Sequence, residues 1–368
     1  MVSPPNPELD SQSGVQKIIS CRTSSSTSQP QTPPSGPYWH PNFTTSITPI
    51  NCWSHNDEHQ PIPLYTALAA GCIAIEADCF TPSHHPSSHF PASLFSYFSS
   101  IPKPPLPTND LLVGHATSEL QLSKTLSTLY LTPLLEILTL QNSAAGNPTP
   151  KVGVWNENPH LSLHLTIDYK TISSGHAGIS ILYSLLTPLR DAGFLTYYDT
   201  HLEKMISGPL TIVGTGDADF DLICEYERVE IFKDCRFNNF LSSQNRTNSL
   251  YVSAKLGGSI GSFGVGRGKG PSREQVAVIR KECGEVRERG LIPRYWGTPD
   301  EEEWWRVLVE SGVEVLNCDD LERGGRWLRG CVVDGVGVGA VWKEGIKEGE
   351  EEGWESVGGG VFGGCIVL

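Results

Sequence analysis

The sequence has no uninterrupted stretch of about 18 apolar residues, the length that a membrane-spanning helix needs. No transmembrane span is therefore predicted. The N-terminus also lacks the apolar segment of a secretory signal peptide, which favours an intracellular protein. Charged residues make up only 18% of the chain, and the formal net charge is −14. This excess of negative charge argues against nucleic-acid binding, which requires a basic surface.

The ten cysteines include no Cys-x-x-Cys pair, so reduced, mostly buried thiols are favoured over disulfides or a zinc site. The last four residues, which begin at Cys365, fit the C-a-a-X pattern for prenylation. The basic cluster that usually supports lipidation does not precede them. Lipidation at Cys365 therefore rests on this pattern alone, and peripheral membrane contact stays open.

Changes in composition divide the chain into three parts. Residues 1–45 are rich in Ser, Thr, Pro and Gln and are predicted to form a disordered leader. A transit peptide is possible there but weakly supported. Such segments are rich in arginine, and this one contains a single arginine. Residues 46–322 carry the apolar patterns of a folded domain, with a Pro-, Ser- and His-rich insertion at 81–110. Residues 323–368 form a Gly-rich, acidic tail that is predicted to be disordered.

One stretch, from His55 to Asp78, organises the folded domain. A short apolar strand ends just before His55, a short helix ends before Gly71, and a second apolar strand leads to Glu76 and Asp78. Residues two apart in a strand point to the same side, so Glu76 and Asp78 project together. A βαβ unit makes the two strands parallel, which brings the histidine and both carboxylates to one edge.

Strands are predicted to start near residues 50, 72, 162, 210, 229, 250, 292 and 314, mostly separated by helical segments. This alternation predicts a (β/α)₈ barrel of the TIM type, whose active site lies at the carboxyl ends of the strands. An open, doubly wound sheet is the alternative, although no Gly-x-Gly-x-x-Gly sequence follows the first strand.

Polar residues with suitable chemistry lie at or just past the carboxyl ends of these strands. The predicted metal ligands are Glu76, Asp78 and Asp168, whose oxygen atoms suit Mg²⁺ or Ca²⁺. Lys170 would stabilise negative charge in a transition state, and His55 and His115 would exchange protons with the nucleophile and the leaving group. Asn56 and Trp296 are expected to contact the substrate. This set indicates a phosphodiester-cleaving site.

Several motifs between Ile50 and Leu321 resemble the phospholipase C-like phosphodiesterase superfamily, which includes the glycerophosphodiester phosphodiesterases. More narrowly, the chain is similar to the fungal family named for altered inheritance of mitochondria, protein number six. The motifs are His55-Asn-Asp with Pro63-Leu-Tyr-x-Ala-Leu, Ile75-Glu-Ala-Asp, Leu111-Leu-Val-Gly-His, Ile167-Asp-x-Lys, Arg294-Tyr-Trp-Gly-Thr-Pro-Asp and Leu316-Asn-x-Asp-Asp-Leu.

The resemblance implies a TIM-type barrel, a divalent metal and two catalytic histidines. Asn56 stands where glycerophosphodiesterases have arginine, and Asp168 where they usually have glutamate; the Asp-x-Lys form is closer to the sphingomyelinase D-like branch. Glycerophosphodiester, lysophospholipid and sphingolipid substrates all stay open. The competing hypothesis is a non-catalytic barrel that binds a lipid headgroup or a protein partner. The compartment is also open, with mitochondrial or membrane-associated locations as alternatives to a general intracellular one.

Overall fold

The computed structural model describes residues 40–84, 109–219, 221, 227–237, 243–264 and 270–333. Eight strands of one parallel sheet lie close to the predicted positions. We number them in chain order as β1 (Ile50–Ser54), β2 (Cys72–Phe80), β3 (Leu163–Tyr169), β4 (Leu210–Gly216), β5 (Ile231–Arg236), β6 (Ser249–Lys255), β7 (Ile292–Trp296) and β8 (Leu316–Cys318).

The eight strands form one sheet in the order β7-β6-β5-β4-β3-β2-β1-β8, and every neighbouring pair is parallel. The two strands at the ends of this order, β7 and β8, contact each other, so the sheet curls into a nearly closed barrel. The predicted barrel is thereby confirmed in its main features, and the open doubly wound sheet is excluded.

Helices connect most of the strands. They are α1 (Tyr65–Ala70), α2 (Thr132–Ala144), α3 (Ile172–Leu185), α4 (Thr187–Asp191), α5 (Leu256–Ile260), α6 (Arg273–Arg287), α7 (Glu302–Glu310) and α8 (Leu321–Val333). The start of α6 is fixed by a capping box, in which the Ser272 hydroxyl accepts from the Gln275 backbone and the Gln275 side chain accepts from the Ser272 backbone. Gly71 ends α1 with a φ of 81°, and a Cβ there would lie 2.7 Å from the Thr48 carbonyl.

Alternation along each strand decides which side chains enter the barrel. On β1, Trp53 points inwards and its ring packs edge-on against Tyr251 from β6, with centroids 4.9 Å apart. Glu76 lies on the same inner side, because its carboxylate accepts a hydrogen bond from the Trp53 indole. The same two-residue period carries Asp78 to the inner edge at the end of β2.

A short antiparallel strand, Leu112–Val113, pairs with the last residues of β2. The Gly114 N–H then donates to the Asp78 carbonyl at 3.0 Å. This pairing returns the chain to the carboxyl end of β2 and delivers His115 beside it. A separate three-stranded antiparallel sheet is built from Tyr197–Asp199, Lys204–Ile206 and Arg228–Val229.

The packed structure extends beyond residues 46–322 at both ends. Phe43 and Thr44, within the predicted leader, are buried, and the Thr44 hydroxyl donates to the Val154 carbonyl at 2.6 Å. At the other end, α8 runs from Leu321 to Val333 and buries Leu328 against the barrel, so the domain extends past residue 322. Both segments adjoin the Ser-, Thr- and Pro-rich leader or the Gly-rich tail, and the composition of those neighbours obscured the packing.

The remaining predictions on organisation fall partly outside the described residues. These are most of the leader, residues 85–108 of the insertion, residues 334–368 and Cys365. Across the parts that are described, no helix is long and apolar enough to cross a membrane. The described cysteines that occur as free thiols are all buried, as expected for reduced core residues: Cys52, Cys72, Cys79, Cys235, Cys283 and Cys318.

Candidate active site

The carboxyl ends of the barrel strands gather nearly all of the predicted site residues, and we call this edge the rim. His55 and Asn56 follow β1, Glu76 and Asp78 lie on β2, and His115 follows the short strand beside β2. Asp168 lies on β3 with Lys170 just after it, and Trp296 is the last residue of β7. Of the predicted set, Cys365 alone lies outside the described residues.

Three carboxylates converge at one side of the rim. Asp78 and Asp168 are paired in register on β2 and β3, and each of Glu76, Asp78 and Asp168 offers an oxygen atom within 4.8 Å of the other two. Oδ1 of Asp78 is buried and has no hydrogen-bond partner among the described residues. Hard oxygen donors at this spacing, one of them buried and unpartnered, fit a divalent cation such as Mg²⁺ or Ca²⁺.

The pKa of Asp168 reflects this crowding. Burial, followed by the negative charge of Glu76, raises the pKa of Asp168 to about 6. Lys170 partly opposes the shift, since its ammonium lies 2.5 Å from Oδ2 of Asp168 and 2.7 Å from Oδ2 of Asp78. A dication between these carboxylates would relieve the same repulsion.

Lys170 is fixed as a permanent positive charge at the rim. Burial alone would lower its pKa, but the charges of Asp168 and Asp78 outweigh burial and raise it above its ordinary value. Its backbone N–H also donates to the Cys79 carbonyl at 3.2 Å, which ties the residue to the end of β2. Lys170 is therefore protonated at neutral pH and aimed at the carboxylate cluster.

Two buried side chains donate hydrogen bonds to the Glu76 carboxylate. The Trp53 indole donates to its Oε2 at 2.6 Å, and the Arg294 guanidinium donates to the same oxygen at 2.9 Å. Burial would raise the pKa of Glu76, but the charge of Arg294, with that of His55, lowers it below its ordinary value. Glu76 is thus ionised, and its Oε2 accepts from both donors.

Arg294 belongs to a buried network at the bottom of the site. Its guanidinium donates to Oδ1 of Asn317 at 2.6 Å, lies 3.5 Å from Oδ2 of Asp234, and stacks over the Trp53 ring at 3.6 Å from the centroid. Arg294 is only 2% exposed. A guanidinium with this many fixed partners holds the orientation of Glu76.

His55 is oriented by an acidic partner that directly follows β8. Its Nδ1 lies 2.6 Å from Oδ1 of Asp319. Burial would lower the pKa of His55, but the bond to Asp319 and the nearby Glu76 charge raise it above its ordinary value. The pKa of Asp319 is lowered by the same hydrogen bond. Within the described ranges Nε2 of His55 has no hydrogen-bond partner, which leaves it available for proton transfer.

His115 is oriented in a similar way by a different carboxylate. Its Nδ1 lies 2.6 Å from Oδ2 of Asp78, and its backbone N–H donates to Glu119 at 2.9 Å. Half of its side chain is exposed. His55 and His115 therefore each bind one acidic group through Nδ1, and both lie beside the carboxylate cluster.

The predicted substrate-contacting residues both lie at the rim. Asn56 adopts a left-handed backbone, with a φ of 47°, and its amide lies 3.4 Å from Nδ1 of His55. Trp296 is 39% exposed, although the rest of β7 is buried. Trp296 is therefore open at the rim, whereas the Oδ1 atom of Asn56 is buried.

Gly216 is required by the packing around Asp168. It ends β4 with a φ of 66°, and a Cβ there would overlap Oδ1 of Asp168 and lie 2.6 Å from the Tyr169 carbonyl. The residue thus leaves room for the Asp168 carboxylate at the point where β3 and β4 end together.

Sequence reasoning missed Glu58. It lies on a 3₁₀ turn, Asp57–His59, and its carboxylate accepts a long hydrogen bond, 3.4 Å, from the Asp78 backbone N–H. Burial and the charge of Asp78 raise the pKa of Glu58 to about 9. Glu58, Asp78 and His115 also form a second cluster of possible ligand atoms within 4.8 Å. Glu58 belongs to the polar segment that follows β1. It does not lie at a strand end, so the rule that places site residues at the ends of strands did not find it.

Comparisons with known proteins give a consistent picture. Residues 41–86 and 106–234 match the AIM6-like phosphodiesterase domain. The chain is 31% identical over 292 residues to an Arthroderma benhamiae protein named altered inheritance of mitochondria protein 6 homolog; the match covers 76% of this chain and 83% of that protein. Two relatives named altered inheritance of mitochondria protein 6 are 29% identical, from Lachancea thermotolerans, and 30% identical, from Saccharomyces cerevisiae strain RM11-1a.

Those two matches cover 73% and 75% of this chain, and 63% and 70% of the respective relatives. The chain thus spans less than two thirds of the Lachancea protein. No solved structure matches the chain significantly.

Proposed function

The chain belongs to the AIM6-like phosphodiesterase family, and we propose that its rim is the active site of a metal-dependent phosphoric diester hydrolase. The substrate would be a glycerophosphodiester or a phospholipid-type diester. One observation carries the proposal: a cluster of three carboxylates lies beside two histidines, each of which binds a carboxylate through Nδ1. A protonated lysine at the same cluster adds the charge that phosphate chemistry needs.

Glu76, Asp78 and Asp168 would hold the metal, with Mg²⁺ as the first candidate and Ca²⁺ as the second. When bound, the ion would neutralise the phosphate and polarise its P–O bonds. The hydrogen bonds from Trp53 and Arg294 would keep the Glu76 carboxylate ionised and fix its orientation for this role.

His55 and His115 would carry out the proton transfers. One histidine removes the proton from the attacking hydroxyl, and the other protonates the leaving oxygen as its bond to phosphorus breaks. Asp319 and Asp78 bind the Nδ1 atoms, so Nε2 is the working nitrogen on each ring. The attacking hydroxyl is water for hydrolysis, or an alcohol of the substrate itself for cyclisation.

Lys170 would stabilise the transition state. Its ammonium is fixed by two carboxylates and needs no reorganisation to face the phosphate oxygens. Fixed charges of this kind contribute because negative charge grows on the phosphoryl oxygens as the new bond forms.

The test compares His55→Ala and His115→Ala with the unchanged protein on two diesters. Glycerophosphocholine loses a poor alkoxide leaving group, whereas bis-p-nitrophenyl phosphate loses a good one. Removing the base should slow both reactions by about 10²–10⁴-fold. Removing the acid should slow the first reaction by a similar factor and the second far less, because a good leaving group needs little protonation.

A matched control is His160→Ala, since His160 lies before β3 at the opposite end of the barrel strands. This variant should keep the unchanged rates on both diesters. Unchanged rates for both His55→Ala and His115→Ala would remove the two histidines from the mechanism.

A further inference from the structure

Lys255 is the last residue of β6 and is paired in register with Trp296 at the end of β7. It shares its side of β6 with Tyr251, which packs against Trp53 inside the barrel. The two-residue period therefore places Lys255 on the inner side of the rim, next to Trp296. The two residues lie on β6 and β7, whereas the carboxylate cluster lies on β2 and β3.

The exposed Lys255 side chain contacts two neighbours at the end of β7. Its ammonium lies over the Trp296 ring, 5.5 Å from the centroid. Its aliphatic stem passes Gly297, where an added Cβ would lie 3.5 Å from Cγ and 3.6 Å from Cε of Lys255. Gly297 has a φ of 63°, so the chain turns directly after Trp296. The contact is a cation–π pair held at the rim.

The charge of Lys255 is not neutralised by any described carboxylate. The other cationic side chains near the rim have acidic partners: Lys170 has Asp78 and Asp168, Arg294 has Glu76, and Arg236 has Asp217 at 3.7 Å. Among the residues that the structure describes, no ion pair involves Lys255. A cation that is held in place and lacks an acidic partner is suited to bind an anionic group of a ligand.

We propose that Lys255 and Trp296 form a subsite for an anionic substituent of the substrate, so that the preferred diesters carry a second negative group beyond the scissile phosphate. The inference rests on the proposed phosphodiesterase function and narrows its substrate class. An open aromatic face would attract the quaternary ammonium of choline. Lys255 covers that face and repels such a headgroup, and it attracts a phosphate or carboxylate.

The test uses three glycerophosphodiesters that differ in headgroup charge: glycerophosphocholine, glycerophosphoinositol and glycerophosphoinositol 4-phosphate. At low ionic strength kcat/KM should rise in that order, with a spread of about fivefold for one exposed charge pair. Added salt should compress the spread, because salt screens exposed charges. Lys255→Glu should reverse the order, and Lys255→Arg should keep it.

Lys281→Glu is the matched control. Lys281 is exposed on α6, so this variant changes the net charge equally but leaves the subsite intact. It should keep the unchanged order. Equal kcat/KM values for the three diesters in the unchanged protein would overturn the subsite. The same order of kcat/KM in Lys255→Glu would also overturn it.

Failure of the proposed function is distinguishable from failure of the subsite. If none of the three diesters is hydrolysed with metal present, the proposed function fails. Calorimetric titration with glycerophosphoinositol 4-phosphate then tests the subsite directly. Binding that is about fivefold weaker to Lys255→Glu than to the unchanged protein would support it, and equal binding would overturn it.

Discussion

The Arg294 guanidinium donates to Oε2 of the Glu76 carboxylate at 2.9 Å, and both side chains are almost fully buried beneath the rim. Their positions in the chain are 218 residues apart. The pair connects β7 with β2 and keeps one oxygen of Glu76 occupied. The orientation of a proposed metal ligand therefore depends on a residue that does not touch the metal.

The first prediction concerns this pair. Arg294→Met should lower the free energy of unfolding by about 3–5 kcal/mol, because it leaves Glu76 and Asp234 buried without their cation. Arg294→Lys should lose less, since it keeps a charge but not the fork that reaches Asn317. Urea unfolding followed by tryptophan fluorescence gives both values. A loss below about 1 kcal/mol for Arg294→Met would contradict the assigned role.

The second prediction concerns Gly216. Gly216→Ala should displace the Asp168 carboxylate and weaken Mg²⁺ binding by at least about tenfold, the effect expected when a ligand loses its orientation. Gly193→Ala is the matched control, because Gly193 has a similar φ of 73° and nothing within 4 Å of an added Cβ. Both variants should lose about 1 kcal/mol of stability to backbone strain, and Gly216→Ala should lose more, because its Cβ would also lie 2.6 Å from the Tyr169 carbonyl. Isothermal titration with Mg²⁺ would contradict the account if both bound the ion equally well.

The third prediction concerns Asp78, which contributes to both candidate ligand clusters. Mg²⁺ at 100 times its Kd should stabilise the unchanged protein by about 2.7 kcal/mol, seen as a rise in Tm. Asp78→Asn should abolish most of this rise, because the amide has no negative charge to offer. Asp199→Asn, in the outlying antiparallel sheet, should retain it. An equal rise in Asp78→Asn would exclude Asp78 from the ligand set.

The fourth prediction concerns acid stability. Burial lowers the pKa of His164, inside the barrel, from 6.5 to about 4. Between these values the unfolded chain binds a proton that the folded chain does not. The free energy of unfolding therefore keeps its full value above pH 6.5. It falls by roughly 2–3 kcal/mol as the pH drops towards 4.

Urea unfolding at several pH values measures the effect. His164→Gln should be less sensitive to pH than the unchanged protein in this window, whereas His160→Gln, at an exposed position, should not differ. Equal slopes for the unchanged protein and His164→Gln would show that His164 is not kept neutral by the fold.

The sequence was sufficient to predict the strands and most of the candidate site, because both follow from local patterns. Glu76 and Asp78 are two residues apart on a strand, and parallel strands bring their polar ends to one edge. His55 and Asp168 follow the same rule on β1 and β3. Each of these assignments needs only the local period and the direction of the neighbouring strand.

The partners of these residues could not be predicted in this way. Arg294 reaches Glu76, and Asp319 reaches His55 from 264 residues away, only because the barrel closes. Glu58 reaches Asp78 because a 3₁₀ turn folds back under the end of β2. Such contacts depend on the geometry of the closed barrel, which a local pattern does not contain.

The most direct test of the account is hydrolysis of bis-p-nitrophenyl phosphate by the full chain, measured with Mg²⁺, with chelator, and after Mg²⁺ is restored. We predict turnover that the chelator abolishes and Mg²⁺ restores, and that Asp168→Asn reduces by at least about tenfold. Turnover that persists in excess chelator would contradict the metal site. Absence of turnover while Mg²⁺ still raises the Tm would contradict the enzyme and favour a barrel that binds without catalysis.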